Sequence, residues 1–363
     1  MQSPVVVLTP NLTGHDGISA VARLVTRALD HVTVLALHEP SSLTTFEGMR
    51  VQAADGRIGR FAADSVRAAA SHGGVGTTVV VNHVHLSSAA LAFAARGATL
   101  VFILHGIEVW TPLTWIQRLA LSRSARRIAV SAFSRDCFLA GNPQFDDCAI
   151  DVCHHGIGPA AVPDAPSGEP PSALIVGRMA AAERYKGHDA LIEIWPTVKA
   201  AVPGAVLRIV GDGDDRARLA QKAEASGLER DVLFLGELDD LSLQREYQRT
   251  TVFVMPSQRE GFGLVFLEAM RAARACIGCN GAASEIIVDG DTGWIVEPGN
   301  VAQLADRIVR MLRSRADSAA MGARGRGRYL QQFTEEQFRR RLAALMPAVH
   351  GTVSPTRSRL GHV

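Results

Sequence analysis

The chain has 363 residues, 47% of them hydrophobic and 20% charged, with 38 Lys and Arg against 36 Asp and Glu. That length exceeds what one hydrophobic core usually sustains, so two domains are expected, and the composition is that of a folded protein, not a disordered one. A net charge of +2 excludes bulk attraction to nucleic acid, and five scattered cysteines suit reduced thiols better than a disulfide framework.

The amino-terminal MQSPVVVLTP has no charged leader or apolar segment of signal-peptide length, and no apolar run approaches the roughly 18 residues that span a bilayer. The expectation is a cytoplasmic protein. Residues 5–8 read as a short buried parallel strand. A loop over 9–17 follows, then a helix with Ile18, Val21, Val25 and Leu29 on one stripe, which makes half of a βαβ unit. Gly14 and Gly17 let this loop approach a ligand at the strand's carboxyl end, but the spacing is not GxGxxG, so a nicotinamide dehydrogenase is not indicated.

Further apolar runs at 32–37, 78–81, 100–104, 128–130 and 149–152 alternate with helical stretches and predict a doubly wound sheet. His105 comes directly after the run LVFIL, where such sheets bind ligands, and His83 and His85 flank another strand end. Residues 109–135 contain no acid but carry Arg118, Arg123, Arg126, Arg127 and Arg135 with Trp110 and Trp115. This stretch admits two readings: a membrane-surface segment, or a core helix with a solvated basic edge. It is too short and too poor in aromatics for nucleic acid. Residues 158–171, GPAAVPDAPSGEPP, form the one clear linker.

The second half opens on the strand SALIVG, with Arg178 just after it and Lys186, one of three lysines in the chain, closing the loop before Gly187. An Arg fork and a Lys point charge together suit a diphosphate. VLRIVGDGDD and VLFLGELDD are strands ending in glycine turns. Cys276 and Cys279 form a CxxC that reads as part of a buried strand, without a second pair to complete a zinc site. Helices are expected at 301–315 and 334–346, the second with Phe338, Leu342 and Leu345 on one face, and the tail after Pro347 reads as disordered.

The most informative stretch is PSQREGFGLVFLEAMR, residues 256–271, placed after a short strand at 251–255. A helix is expected to start near Gly263, leaving the amides of Gly263, Leu264 and Val265 as free donors on the positive end of the helix dipole. Glu260 precedes this anion site and Glu268 lies one turn past Leu264 on the same face. Carboxylates accept hydrogen bonds from vicinal hydroxyls, so the fitting guest has a diphosphate in the middle and a polyol at each end, as a nucleotide sugar does.

EGFGLVFLEAM, with acids at its first and ninth positions, resembles the E-x7-E signature of family four of the retaining nucleotide-sugar glycosyltransferases. The resemblance implies the GT-B fold: two Rossmann-like, doubly wound α/β domains facing across a cleft. It assigns 1–157 to an acceptor-side domain, 158–171 to the linker, 172–333 to the nucleotide-sugar domain, 334–349 to a helix returning to the first domain and 350–363 to a tail. By the same resemblance His105 faces donor sugar and acceptor, Glu260 orients the sugar, and Arg178 and Lys186 bind the leaving diphosphate. Gly17, Gly261, Phe262, Gly263 and Leu264 surround the donor, Glu268 meets the ribose, and Gly211, Gly236 and Leu238 neighbour the base. Ala282 follows Gly281 where the family commonly has a second glycine.

The implied reaction moves a hexosyl group of mannose or glucose type from a GDP- or UDP-linked donor to a saccharide, with retention and without metal or cofactor. If the basic, Trp-bearing stretch is a membrane surface, the acceptor is expected to be polyprenyl-diphosphate-linked, as in exopolysaccharide assembly, and the protein peripheral on the inner face of the cytoplasmic membrane. A soluble acceptor, or a catalytically silent nucleotide-sugar-binding protein, are the alternatives.

Overall fold

A computed structural model of the chain describes residues 4–14, 16–146, 148–160 and 169–347. Residues 161–168 of the expected linker and the whole expected tail lie outside the described residues.

The first half builds an eight-stranded sheet. Its elements are β1 (Val5–Thr9), α1 (Gly17–Ala28), β2 (Val32–Ala36), β3 (Thr45–Phe46), β4 (Met49–Ala53), α2 (Ile58–His72), β5 (Thr78–Val81), α3 (Ser87–Ala94), β6 (Thr99–Leu104), α4 (Ile107–Trp110), α5 (Trp115–Ser122), β7 (Arg126–Ala129), α6 (Ala132–Gly141) and β8 (Asp151–Val152). The strand order is β3-β4-β2-β1-β5-β6-β7-β8, parallel except for the β3-β4 pair. The order of connection changes sense between β1 and β5, which makes the switch point at which open α/β sheets hold ligands. The apolar runs are buried on both faces: Val7, Leu8, Val79, Val80, Val101 and Phe102 are fully enclosed.

The second half repeats the plan with β9 (Ser172–Val176), α7 (His188–Ala201), β10 (Val206–Val210), α8 (Arg216–Ala225), β11 (Val232–Gly236), α9 (Asp240–Arg249), β12 (Val252–Met255), α10 (Leu264–Arg271), β13 (Ala275–Cys279), α11 (Ala283–Ile286), β14 (Gly293–Val296), α12 (Val301–Arg313), α13 (Arg315–Gln332) and α14 (Glu335–Leu345). Its six strands run β11-β10-β9-β12-β13-β14, all parallel, with the switch between β9 and β12. Cys276 and Cys279 are free, buried thiols within β13.

Helix α14 packs on α1 of the first half, where Phe338 and Leu342 share one apolar cluster with Val21 and Val25. A guanidinium nitrogen of Arg339 donates to the Arg27 carbonyl (2.9 Å) and one of Arg341 to the His154 carbonyl (2.9 Å). The two sheets thus share apolar contacts at the crossover, where Phe262 packs among His154, His155 and Phe333.

Residues 109–135 do not form one helix. They divide among α4, α5, β7 and the start of α6, because Pro112 and the strand pairing of Arg126–Ala129 break the run. Trp110 is half-buried edge-on against Phe133, and Arg127 is spent on the carbonyls of Leu121 and Ser124. Trp115 is 66% exposed on α5, and Arg118 and Arg123 beside it are exposed.

Candidate active site

Helix α10 starts where a left-handed glycine ends the loop: Gly263 has φ +99°. Among the described residues, the amides of Gly263, Leu264 and Val265 donate to no protein group, while Phe266 already bonds back to the Gly263 carbonyl at 3.0 Å. Three backbone donors are therefore left without a protein partner at the positive end of an eight-residue helix.

The two acids bracket this turn in low-dielectric surroundings. Burial pushes the Glu260 carboxyl above its usual range and the nearby Glu183 adds to that, while Lys186 pulls the other way. Burial raises Glu268 as well, partly offset by the Tyr247 hydroxyl, which donates to its Oε2 at 2.8 Å. Tyr247 is fully buried on α9 and fixes the direction in which Glu268 points. No sequence spacing connects the two residues, although a tyrosine in the polar run LSLQREYQR is an anomaly that could have drawn attention.

Arg178 and Lys186 leave the end of β9 on the same loop, and Glu183 joins them. The Arg178 guanidinium donates to Glu183 Oε1, and the Lys186 ammonium lies 3.3 Å from Oε2. Gly187, φ +95°, closes this loop so tightly on Pro256 that an added Cβ would lie 2.5 Å from the ring. The cation loop is thereby locked to the end of β12, the strand that feeds the Glu260 turn. Behind it, Arg184 and Arg218 converge on Asp215, with Arg218 also on Asp189, and these pairs hold the Asp215 carboxyl far below the carboxylate range.

The turns after β9, β10 and β11 are stitched together by Gly177 N–H to Val210 O (3.0 Å) and Gly211 N–H to Gly236 O (2.8 Å). Gly211 sits at φ +126°, where a side chain would strike the Gly177 carbonyl, so its glycine is explained by this packing. Gly236 has φ +70°, with the Arg216 guanidinium 3.9 Å from where a Cβ would lie, and Leu238 is half-buried against the core. Phe262 differs from the expected donor contact: its ring is buried in the crossover cluster, leaving only its backbone to the loop.

From the first domain, His105 follows β6 as read from the sequence. Its Nε2 lies 2.6 Å from the Asn82 carbonyl, so Nε2 carries the proton and Nδ1 is left as an acceptor. Burial lowers its basicity, which keeps the ring neutral. Glu108 Oε1 accepts from the amides of His105 and Gly106 at 3.0 Å each and freezes the turn. Gly17 begins α1 with open space around the position of a Cβ, and Asp16 before it caps the helix through the amides of Ile18 and Ser19. The negative field of Asp16 reaches Arg178 across the cleft.

The two groups of residues meet. Gly261, beside Glu260, abuts His105 and Gly106 so closely that any side chain there would collide with the His105 carbonyl. The Gly261 carbonyl accepts from Ser131 Oγ (2.6 Å) and Ser134 Oγ (3.0 Å) of the first domain. Glu285, on α11 of the second domain, accepts from the amides of Ala132 and Phe133 and pairs with His154 Nε2 at 2.6 Å. Ser131 is legible as a helix cap in VSAFS, but its second role, and those of Ser134 and Glu285, depend on how the domains approach.

Two parallel α/β sheets with a phosphate-type helix start facing a histidine turn define the GT-B fold class. HepE of Anabaena, in a crystal structure with UDP and glucose, superposes with a TM-score of 0.79 at 19% identity, over 94% of this chain and 98% of its own. Residues 170–314, most of the second half, match the family model described as Glycosyl transferases group 1. The GDP-mannose-dependent alpha-(1-6)-phosphatidylinositol monomannoside mannosyltransferase of Mycobacterium tuberculosis is 34% identical over 167 residues, 44% of this chain and 43% of its own length. The N-acetyl-alpha-D-glucosaminyl L-malate synthase of Bacillus anthracis is 34% identical over 134 residues, 37% of this chain and 35% of its own. The chain thus matches less than half the length of these curated relatives.

Proposed function

We propose that the protein transfers a hexosyl group from a nucleoside-diphosphate sugar to a saccharide acceptor, with retention of configuration. The observation that carries this reading is the meeting of the Glu260–Gly261 turn with the His105 turn, held by Ser131 and Ser134, beside the Arg178 and Lys186 loop. The diphosphate lies against the amides of Gly263, Leu264 and Val265, with Arg178 and Lys186 taking up the charge that grows on the leaving group. Glu260 and the His105 Nδ1 accept from sugar hydroxyls, and Glu268 accepts from the ribose. The departing phosphate oxygen itself takes the acceptor's proton on the same face of the sugar, so no enzymic nucleophile is needed.

Relatives named for GDP-mannose and a neighbour crystallised with UDP and glucose support a hexosyl nucleotide as donor. No helix among the described residues is long and apolar enough to cross a membrane. Trp115 and Arg118 on α5, with Arg123 just past its end, favour an acceptor presented at a lipid surface, of the polyprenyl-diphosphate kind used in exopolysaccharide assembly. The test is a panel of UDP- and GDP-sugars scored by thermal shift and then by transfer of radiolabelled sugar. Stabilisation by one donor followed by transfer supports the reading; a stable protein that responds to none of them defeats it.

A further inference from the structure

Glu183 pairs with the same two cations that are proposed to hold a diphosphate, and nothing in the donor reading gives it a task. Its carboxylate bridges the two cations of the β9 loop, Arg178 through Oε1 and Lys186 through Oε2 at 3.3 Å. Its side chain is 16% exposed, whereas that of Arg178 is 63% exposed and remains open to solvent on its other side. The pairing is incomplete, because Oε2 is buried and accepts no hydrogen bond. Glu183 stands inside a run of helical turns with φ −119° and ψ 27°, off the helical values of its neighbours. Burial disfavours its charge, but Arg178 and Lys186 outweigh burial and keep it ionised. Its negative field reaches Glu260 and the Tyr185 hydroxyl, whose pKa is pushed up to about 12 by burial first and these acids second.

We propose that Glu183 is an internal counter-ion that a nucleoside diphosphate must displace from Arg178 and Lys186, and that returns to them as the product leaves. The inference rests on the donor reading above. The carboxylate keeps both cations oriented and charge-compensated while no diphosphate is bound. When the diphosphate arrives, two anions compete for the same guanidinium and ammonium, which weakens binding of donor and product alike. A positioning residue of this kind raises turnover where product release limits it, at the expense of affinity.

The experiment is calorimetric titration of the full-length protein with UDP and with GDP, comparing wild type, Glu183→Gln, Glu183→Asp and Arg178→Ala, with the melting temperature of each unliganded variant as a folding control. Glu183→Gln is expected to bind the preferred diphosphate about tenfold more tightly, the value of one charge-assisted contact, and Glu183→Asp to remain near wild type. In the double variant with Arg178→Ala the gain should shrink, a coupling that a merely structural role would not produce. Wild type that binds while Glu183→Gln or, should that variant fail to fold, Glu183→Asp binds more weakly overturns the inference alone. Wild type that is folded and binds neither diphosphate overturns the donor reading and this inference with it.

Discussion

The carboxylate of Glu285 accepts hydrogen bonds from the amides of Ala132 (2.9 Å) and Phe133 (2.8 Å), so a side chain of the second domain caps a helix of the first. Its carboxyl is held below the usual range: burial opposes this, but His154 and the two amides prevail. Because the folded value lies under the unfolded one, the contribution to stability is complete above the ordinary carboxylate range and is lost as pH falls through the depressed value. Glu285→Ala should cost about 1–2 kcal/mol at neutral pH. Thermal unfolding of the two proteins should converge in acid, and small-angle scattering should report a larger mean dimension for the variant at pH 7. Identical curves at all pH values would mean that Glu285 does not hold the two domains together.

Gly261 has no space for a side chain against His105. Gly261→Ala should leave the separate domains folded but hold the turns apart. A displacement of about 1 Å at reacting groups can cost about 100-fold, and kcat/KM is expected to drop by that order with little change in melting temperature. Wild-type kinetics would mean that the domains do not need this contact.

Tyr247 fixes Glu268, and Tyr247→Phe removes that hydrogen bond while keeping the ring. A net loss of about 1 kcal/mol predicts a several-fold rise in donor KM with kcat nearly unchanged. Steady-state kinetics with varied donor would show it, and a fall in kcat at constant KM would place Glu268 elsewhere in the reaction.

His105 is kept neutral by burial, so kcat/KM should not fall with a histidine-type limb as the pH drops through the ordinary histidine value of 6.5. Replacement of His105 by Gln, which can accept but not titrate, should retain more activity than replacement by Ala. A limb that His105→Gln abolishes would assign the ring a proton-transfer role instead.

Trp115 stands out from α5 with 66% of its surface exposed. Flotation with anionic vesicles should carry wild type upward, and Trp115→Ala with Arg118→Ala should leave it at the bottom. Wild type that never floats would turn the search toward a soluble acceptor.

Where apolar runs were unbroken and bounded by glycine or proline, the local pattern was enough to place the element. The strand before Pro256 and the helix after Gly263 formed within a residue of where the pattern put them, because one residue, φ-positive and without Cβ, has to end the loop. Met49–Ala53 has no strand signature in the sequence, because its exposed Arg50 and half-buried Gln52 dilute the apolar run of a strand near a sheet edge. Helix α13 was hidden by Gly322, Gly325 and Gly327, residues that weaken helices in isolation. Gly322 is there for contact, since a side chain would collide with the Ala273 carbonyl.

The sequence by itself determined the two parallel sheets, the anion-binding helix start and the residue types around it, since each depends on periodicity or on the backbone freedom of neighbouring residues. Only the tertiary structure decided that Gly261 lies on His105, that Tyr247 aims Glu268, that Glu183 joins Arg178 to Lys186, and that Glu285 fastens one domain to the other. Such contacts join residues up to 156 positions apart, and at that separation side-chain geometry in the packed molecule, not local order along the chain, sets which groups meet.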